Sequence, residues 1–406
     1  MKKVLIINPY FPPFTSIASR RFGDMVKYME EHGWEPTVVT INSKGSLKVN
    51  LKEENIIRVG DFNQSEESHN KAKKIFLISD LKQRMGYLMN LRMVDRFLFT
   101  WYKQVINNPD VIKAAKETDI IVASYMPSAS FFIAKKLASK FNKKWIADFR
   151  DLGALYDEGK DKFPRFVDKQ IEKRLLTSAS AFTTVSKGLA EELVKVYKKD
   201  CHVIYNGWEK DISDNNLTES IEASNLKNKK YIYYAGTIYT HQLDAFKLVI
   251  QSLNNNLVLV IRTLGSKENE EALKDFANEC NKTEKLLILP PENPEIIKQE
   301  ADSAFLNLVV EDMYLKNEWK KGVLTGKLFD LMTYKPPILA VAGIKSEIKE
   351  VLEETNKGYF GSSVEKISDI IEKVSNEPGA LNSDIEKFSK KNQAKKLCAI
   401  LDEVTK

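Results

Sequence analysis

Residues 322–343, GVLTGKLFDLMTYKPPILAVAG, read as loop, short helix, loop and buried strand. Leu328, Leu331 and Met332 recur at helical spacing, while Lys327, Asp330 and Tyr334 fall at i, i+3 and i+7 on another face. Pro336 and Pro337 stop the helix, and Ile338 to Val341 then fits a strand covered on both sides, the mark of an α/β sheet. Gly322 and Gly326 bracket the helix start, where unpaired backbone N–H groups make an anion site, and Lys327 adds a full charge there. A carboxylate one turn in, Asp330, can accept two hydrogen bonds from a vicinal diol such as a ribose. Together these residues suit a nucleoside diphosphate. The competing reading is a plain α/β helix with a solvated lysine and aspartate.

Working back from this stretch, strands are expected at Ala304 to Val310, Leu286 to Leu289, Leu257 to Ile261 and Tyr231 to Tyr234, with a helix from Pro294 to Ala301. The last of these strands ends at Ala235-Gly236-Thr237-Ile238-Tyr239, where glycine lets a ligand approach backbone amides. Arg262 stands at the tip of its strand, as a diphosphate partner or as a solvated loop arginine. Working forward, a helix runs to Glu354, Gly358 to Gly361 follows, and a lysine-rich helix covers Ser383 to Val404.

The first half repeats the alternation. Val4 to Ile7 is a strand that runs into Asn8-Pro9-Tyr10-Phe11-Pro12-Pro13 instead of a glycine-rich turn, which counts against NAD or FAD. A helix at Arg20 to Glu31 and strands at Pro36 to Ile41, Ile120 to Ser124, Trp145 to Ala147, Thr177 to Val185 and Cys201 to Tyr205 follow, with Asn206-Gly207 as the crossing between halves. Asp148-Phe149-Arg150-Asp151 puts three charges at a strand's carboxyl end, where open α/β sheets bind ligands; an internal Asp148–Arg150 salt bridge is the rival.

Length and composition agree with two such halves. A chain of 406 residues exceeds one ordinary core, and 43% hydrophobic with 29% charged residues is globular composition. Three cysteines far apart and four scattered histidines give neither a disulfide framework nor a metal spacing, and no metal or other cofactor is expected. No run of apolar residues is long enough to span a bilayer and no signal peptide is read, so a cytoplasmic protein is expected. The net charge of +6 is concentrated: Lys71 to Lys103 holds eight Lys or Arg against Asp80 and Asp95, interleaved with Phe, Met, Leu and Trp. This basic amphipathic insertion, about residues 62–106, suits an anionic membrane surface, or packs on its domain as an ordinary helix.

Five segments in order carry a resemblance to a known family: Pro12-Pro13, Asp148 to Asp151, Asn206-Gly207, Gly236-Thr237 and Lys327 to Asp330. The chain resembles retaining GT-B glycosyltransferases of the glycosyltransferase family 4 type, which build bacterial surface polysaccharides. Asp330 stands where that family usually has Glu, and Gly322 where many relatives carry another Glu; Glu311, Asp312 and Glu318 are the available substitutes. The resemblance implies two Rossmann-like domains with parallel sheets across a deep cleft. Residues 1–205 would bind the acceptor, residues 206–382 the nucleotide sugar, and a helix in residues 383–406 would cross back to the first domain. It further implies donor contacts from Gly236, Thr237, Tyr239, His241, Arg262, Pro291, Gly322, Thr325, Gly326, Lys327, Leu328 and Asp330. Acceptor contacts would come from Phe11, Pro12, Arg20, Tyr125, Asp148, Arg150 and Asp151, with Lys327, Asp330, Arg262, Asp148 and Arg150 in the catalytic centre. The implied reaction moves a sugar from a nucleotide sugar, of UDP type, to a saccharide or polyprenyl-linked acceptor with retention of configuration and without metal; no nucleic acid is involved. Two alternatives stay open: a nucleotide-sugar epimerase of the same architecture, and a non-catalytic subunit that binds a nucleotide sugar for a partner transferase.

Overall fold

The computed structural model describes residues 1–61, 91, 93–155, 162–209, 226, 229–254, 256–315, 318–377, 381 and 383–406. The chain divides into two compact units, residues 1–206 with 390–406 and residues 207–389.

The first unit is a seven-stranded parallel sheet in the order β3-β2-β1-β4-β5-β6-β7. Its strands are β1 (Lys2–Ile7), β2 (Trp34–Asn42), β3 (Ile56–Asp61), β4 (Ile120–Ser124), β5 (Lys144–Phe149), β6 (Ala181–Thr184) and β7 (Cys201–Val203). Helices α1 (Ile17–Met29), α2 (Arg96–Asn107), α3 (Pro109–Glu117), α4 (Ala129–Phe141), α5 (Lys162–Leu176) and α6 (Lys187–Tyr197) return the chain. Helix α1 shows why the sequence folds this way. Ser16 caps it, accepting from Ser19 N–H at 3.1 Å, and Phe22, Met25, Val26 and Met29 form one buried stripe. Each such side chain, fully buried, contributes about 1.5–3 kcal/mol.

The second unit repeats the topology with six strands in the order β10-β9-β8-β11-β12-β13, all parallel. These are β8 (Lys230–Ala235), β9 (Leu257–Arg262), β10 (Leu286–Leu289), β11 (Leu306–Val310), β12 (Ile338–Val341) and β13 (Gly358–Gly361). Helices α7 (Leu243–Ser252), α8 (Lys267–Glu279), α9 (Pro294–Ser303), α10 (Gly326–Leu331), α11 (Glu347–Thr355) and α12 (Val364–Asn376) complete it. In both units the strand order reverses beside the first strand, between β1 and β4 and between β8 and β11. Doubly wound sheets bind ligands outside the carboxyl ends of the strands at this switch point.

Helix α13 (Lys390–Thr405) belongs to the first unit: Ala394, Leu397 and Leu401 join the core of α1, and Gln393 accepts from the Tyr205 amide at 2.9 Å. It starts at Lys390 rather than at Ser383 because the preceding residues are held in the second unit: Asp384 N–H donates to Thr355, and the Trp208 indole donates to Ile385. The strand expected at Thr177 to Val185 shrinks to β6, since only Ala181 to Thr184 pairs with β5.

Residues 62–90 and 92 of the expected basic insertion lie outside the described residues. The remainder forms α2, which buries Phe97, Trp101 and Val105 and packs on α4, with the Trp101 indole donating to Val59 at 3.0 Å. For this part of the insertion, ordinary packing is what the structure shows. Among the described residues no helix is long and apolar enough to cross a membrane.

Candidate functional site

At the switch point of the second unit five of the expected donor residues, Gly236, Thr237, Tyr239, His241 and Lys327, share one set of contacts. Strand β8 ends at Ala235 and turns at Gly236; β11 ends at Val310 and is followed by Glu311. Lys327, from the first turn of α10, reaches between them: its ammonium donates to Tyr234 Oη at 2.8 Å and lies 4.2 Å from the centre of the Tyr234 ring. Tyr234 in turn donates to the Thr237 carbonyl at 2.7 Å. The lysine occupies the space a side chain at Gly236 would need, since a Cβ there would clash with Nζ, and the backbone at φ +145° also favours glycine. The opening that the sequence suggests for a ligand is filled by an ammonium.

No carboxylate pairs with Lys327 among the described residues. Burial disfavours its charge and pulls its pKa down to about 8, against the opposing pull of Glu311. Glu311 is nearly buried, and its Oε2 lies 3.8 Å from His241 Nε2. The Glu311 carboxylate at this distance raises the pKa of His241 against the effect of burial, and the His241 ring stacks on Tyr239. Burial and the negative charge of Glu311 push the Tyr234 phenol up. The switch point therefore holds an ammonium, a carboxylate and an imidazole within one charge network.

Of the acids that the sequence leaves as substitutes at Gly322, Glu311 faces this network. Asp312 is taken by Lys320 at 2.9 Å. Burial works against the Asp312 charge, but the Tyr314 amide and Lys320 outweigh it and hold the carboxyl below its ordinary value. The side chain of Glu318 lies outside the described residues.

Helix α10 has six residues, too few to build a full helix dipole, and the Thr325 side chain makes no cap bond. Asp330 is exposed on it, and Leu328 is a core residue whose amide donates to Thr325. Gly322 is buried, while Tyr239 and Pro291 are exposed.

Arg262, expected on the diphosphate, is spent elsewhere. Its guanidinium is 1% exposed, grips Glu300 with two bonds of 2.7 Å and donates to the Pro290 carbonyl at 2.9 Å. Tyr233 completes the Glu300 shell at 2.7 Å. Buried ions need this many partners, and the cluster is a closed structural unit.

The first unit shows the same economy. Asp148 pairs with Arg21, at 2.6 Å to Nη2, and not with Arg150; Ser124 and Thr183 donate to it as well. Arg150 instead donates to the Tyr125 and Met126 carbonyls, and burial lowers its pKa to about 10 against the attraction of Asp148. Phe11 and Tyr125 are core side chains, 0% and 1% exposed, so neither presents its ring to a ligand. Pro12 is buried against Gly23, Arg20 is exposed, and Asp151 accepts from the Leu152 amide. Among the described residues no group of three His, Cys, Asp or Glu side chains is placed to hold a metal.

Tyr234 and Glu311 were not legible as members of the Lys327 network. Tyr234 reads as one more strand residue, and Glu311 joins it only because β11 pairs with β8.

No curated protein matches the chain in sequence. Solved structures do match in fold over its whole length. A glycosyltransferase from Rickettsia africae superposes with a TM-score of 0.59 at 16% identity, covering 100% of this chain and 99% of that one. The lipopolysaccharide outer core galactosyltransferase WaaB gives 0.58 at 13%, covering 99% of each chain. Anabaena HepE in complex with UDP and glucose gives 0.55 at 12%, covering 100% and 97%. The fold is accordingly GT-B, built on two Rossmann-like parallel-sheet domains. Residues 18–211, which span most of the first unit, match the family described as Glycosyltransferase Family 4.

Proposed function

We propose that the protein is a glycosyltransferase that moves a sugar from a UDP-sugar to an acceptor hydroxyl with retention of configuration. The observation that carries this reading is the Lys327 ammonium, held at the β8–β11 switch point by a hydroxyl and an aromatic face, with no carboxylate paired to it among the described residues. As the bond from the anomeric carbon to the diphosphate oxygen breaks, negative charge collects on the β-phosphate. An ammonium already partly desolvated and already in place stabilises that charge with little reorganisation. The acceptor oxygen forms the new bond to the anomeric carbon, and its proton passes to the leaving phosphate oxygen.

In this reading Asp330 holds the ribose and the Gly236–Thr237 turn lies along the phosphates. Lys327 supplies the charge that a metal supplies in other transferases. The family match and the transferases among the fold neighbours support the reaction class, and HepE, which binds UDP, supports the nucleotide. The acceptor is a saccharide or a polyprenyl-linked oligosaccharide of the bacterial cell envelope, reached from the cytoplasmic face of the membrane.

The test is turnover. Purified protein with a panel of UDP-sugars and lipid-linked saccharide acceptors is expected to release UDP only when an acceptor is present, and to keep doing so in EDTA. A new sugar isomer from UDP-sugar alone identifies an epimerase. UDP-sugar binding with no turnover across the panel identifies a binding subunit.

A further inference from the structure

Helices α2, α4 and α5 lie side by side on the first unit and share an unusual charge pattern. Helices α2 and α4 contain no acidic residue, and the two acids of α5, Asp168 and Glu172, are 1% and 0% exposed. Asp168 accepts from the Met93 amide and Glu172 from the Ala154 amide and Tyr197. Every charged side chain that these helices expose among the described residues is therefore a cation. Lys136, Lys173 and Arg174 are exposed, and no ion pair engages them among the described residues. Lys135, half-buried, ties α4 to α5 by donating to the Arg174 carbonyl at 2.8 Å.

The same face carries exposed aromatics. Phe163 and Phe166 are 67% and 59% exposed. With Gln170, Lys173 and Arg174 they recur at i, i+3, i+7 and i+10 or i+11, which is one side of α5. Toward α4 and α2 this side continues into a groove of about 440 Å³ lined by Tyr102, Phe132, Lys135, Lys136, Ile171 and Arg174. A soluble polyanion would use the cations and leave two phenylalanine rings in water. An anionic bilayer uses both, with phosphates on the lysines and rings among the acyl chains.

We infer that the α2–α4–α5 face is a docking surface for an anionic phospholipid membrane, with Phe163 and Phe166 as the inserting groups. The inference deepens the reading above by placing the lipid-linked acceptor's membrane against the first unit, and it rests on that reading only for its purpose. It also moves membrane contact from the insertion's expected cations to α4 and α5.

The experiment is cosedimentation of the full chain with phosphatidylglycerol–phosphatidylcholine vesicles, which needs neither donor nor acceptor. A failure of the transferase reading therefore leaves its result untouched. The protein is expected to bind at low salt, to be released at high salt and to ignore pure phosphatidylcholine. Phe163→Ser with Phe166→Ser, and separately Lys136→Glu with Lys173→Glu, should each lower the partition about tenfold or more. Unchanged thermal midpoints and circular dichroism show that the variants are folded. Sedimentation of both variants at the parent level overturns the inference, as does a parent that binds no vesicle. Loss of binding only on reversal of Lys73, Lys74 and Arg84 does so too. So does equal affinity for inorganic polyphosphate in the parent and the phenylalanine variant, with vesicle binding unchanged.

Discussion

Arg262 and Lys327 stand close together at the carboxyl end of the second sheet and have opposite fates. Arg262 pairs in register with Ala235, the residue before Gly236, and turns away to close two bonds on Glu300. Lys327 approaches the same turn from the other side, against Gly236, and among the described residues it donates to the Tyr234 hydroxyl and lies on the Tyr234 ring with no carboxylate paired to it. Arg262 is removed from water and Lys327 partly so, which is costly for each. For the arginine the cost is offset inside the protein. For the lysine it is left partly uncompensated, and the depressed pKa is its signature. A cation of the first kind holds a fold together, and one of the second kind is poised for an anion that arrives later.

The comparison breaks first at Glu300. Glu300→Ala strands a buried guanidinium and should cost about 3–5 kcal/mol in urea unfolding. A loss below about 1 kcal/mol would mean that the pair is not the closed unit described, the level at which exposed pairs are measured. Lys327→Ala should show the reverse profile, with little or no loss of stability and UDP affinity lower by about 1.5–3 kcal/mol in calorimetry. Undiminished affinity removes Lys327 from the donor site.

Titration sharpens the same contrast. Above about pH 8 native Lys327 gives up its proton, while the unfolded chain holds it to the ordinary 10.5. The unfolded state binds more protons in this window, so the lysine's contribution makes stability rise with pH there. UDP needs the charged form, so its affinity should fall over the same window, and the fall should vanish in Lys327→Met. The smallest effect concerns Asp330, exposed one turn along α10. Asp330→Asn should weaken UDP binding and leave pyrophosphate binding unchanged; equal losses on both ligands would place the carboxylate away from the ribose.

Why the two cations could not be told apart in the sequence is physical. Each is a cation near a glycine, Gly265 for Arg262 and Gly326 for Lys327, and both suit a diphosphate. What separates them is Glu300, which lies 38 residues beyond Arg262 on α9. Strands such as Ile120–Ser124 and Ile338–Val341 are readable because short continuous apolar runs set off by charged, proline or glycine residues have one stable place, in the interior of a parallel sheet. β3 is not legible in the sequence, since Ile56–Asp61 is an edge strand with only Ile56 and Val59 buried. Asp148 was legible as a charge at a strand end, but its partner Arg21 lies on α1, 127 residues earlier. Charges announce themselves locally, and their partners are set by strand order.

Helix α13 has a consequence for biosynthesis. The stripe of α1 formed by Phe22, Met25 and Met29 packs in a core that includes Leu397 and Leu401, which leave the ribosome after the whole second unit. During synthesis the first unit therefore waits with an apolar flank uncovered while residues 207–389 are made and can already close their own core. The unit that starts first finishes last, and the interval is when a chaperone has the most to bind.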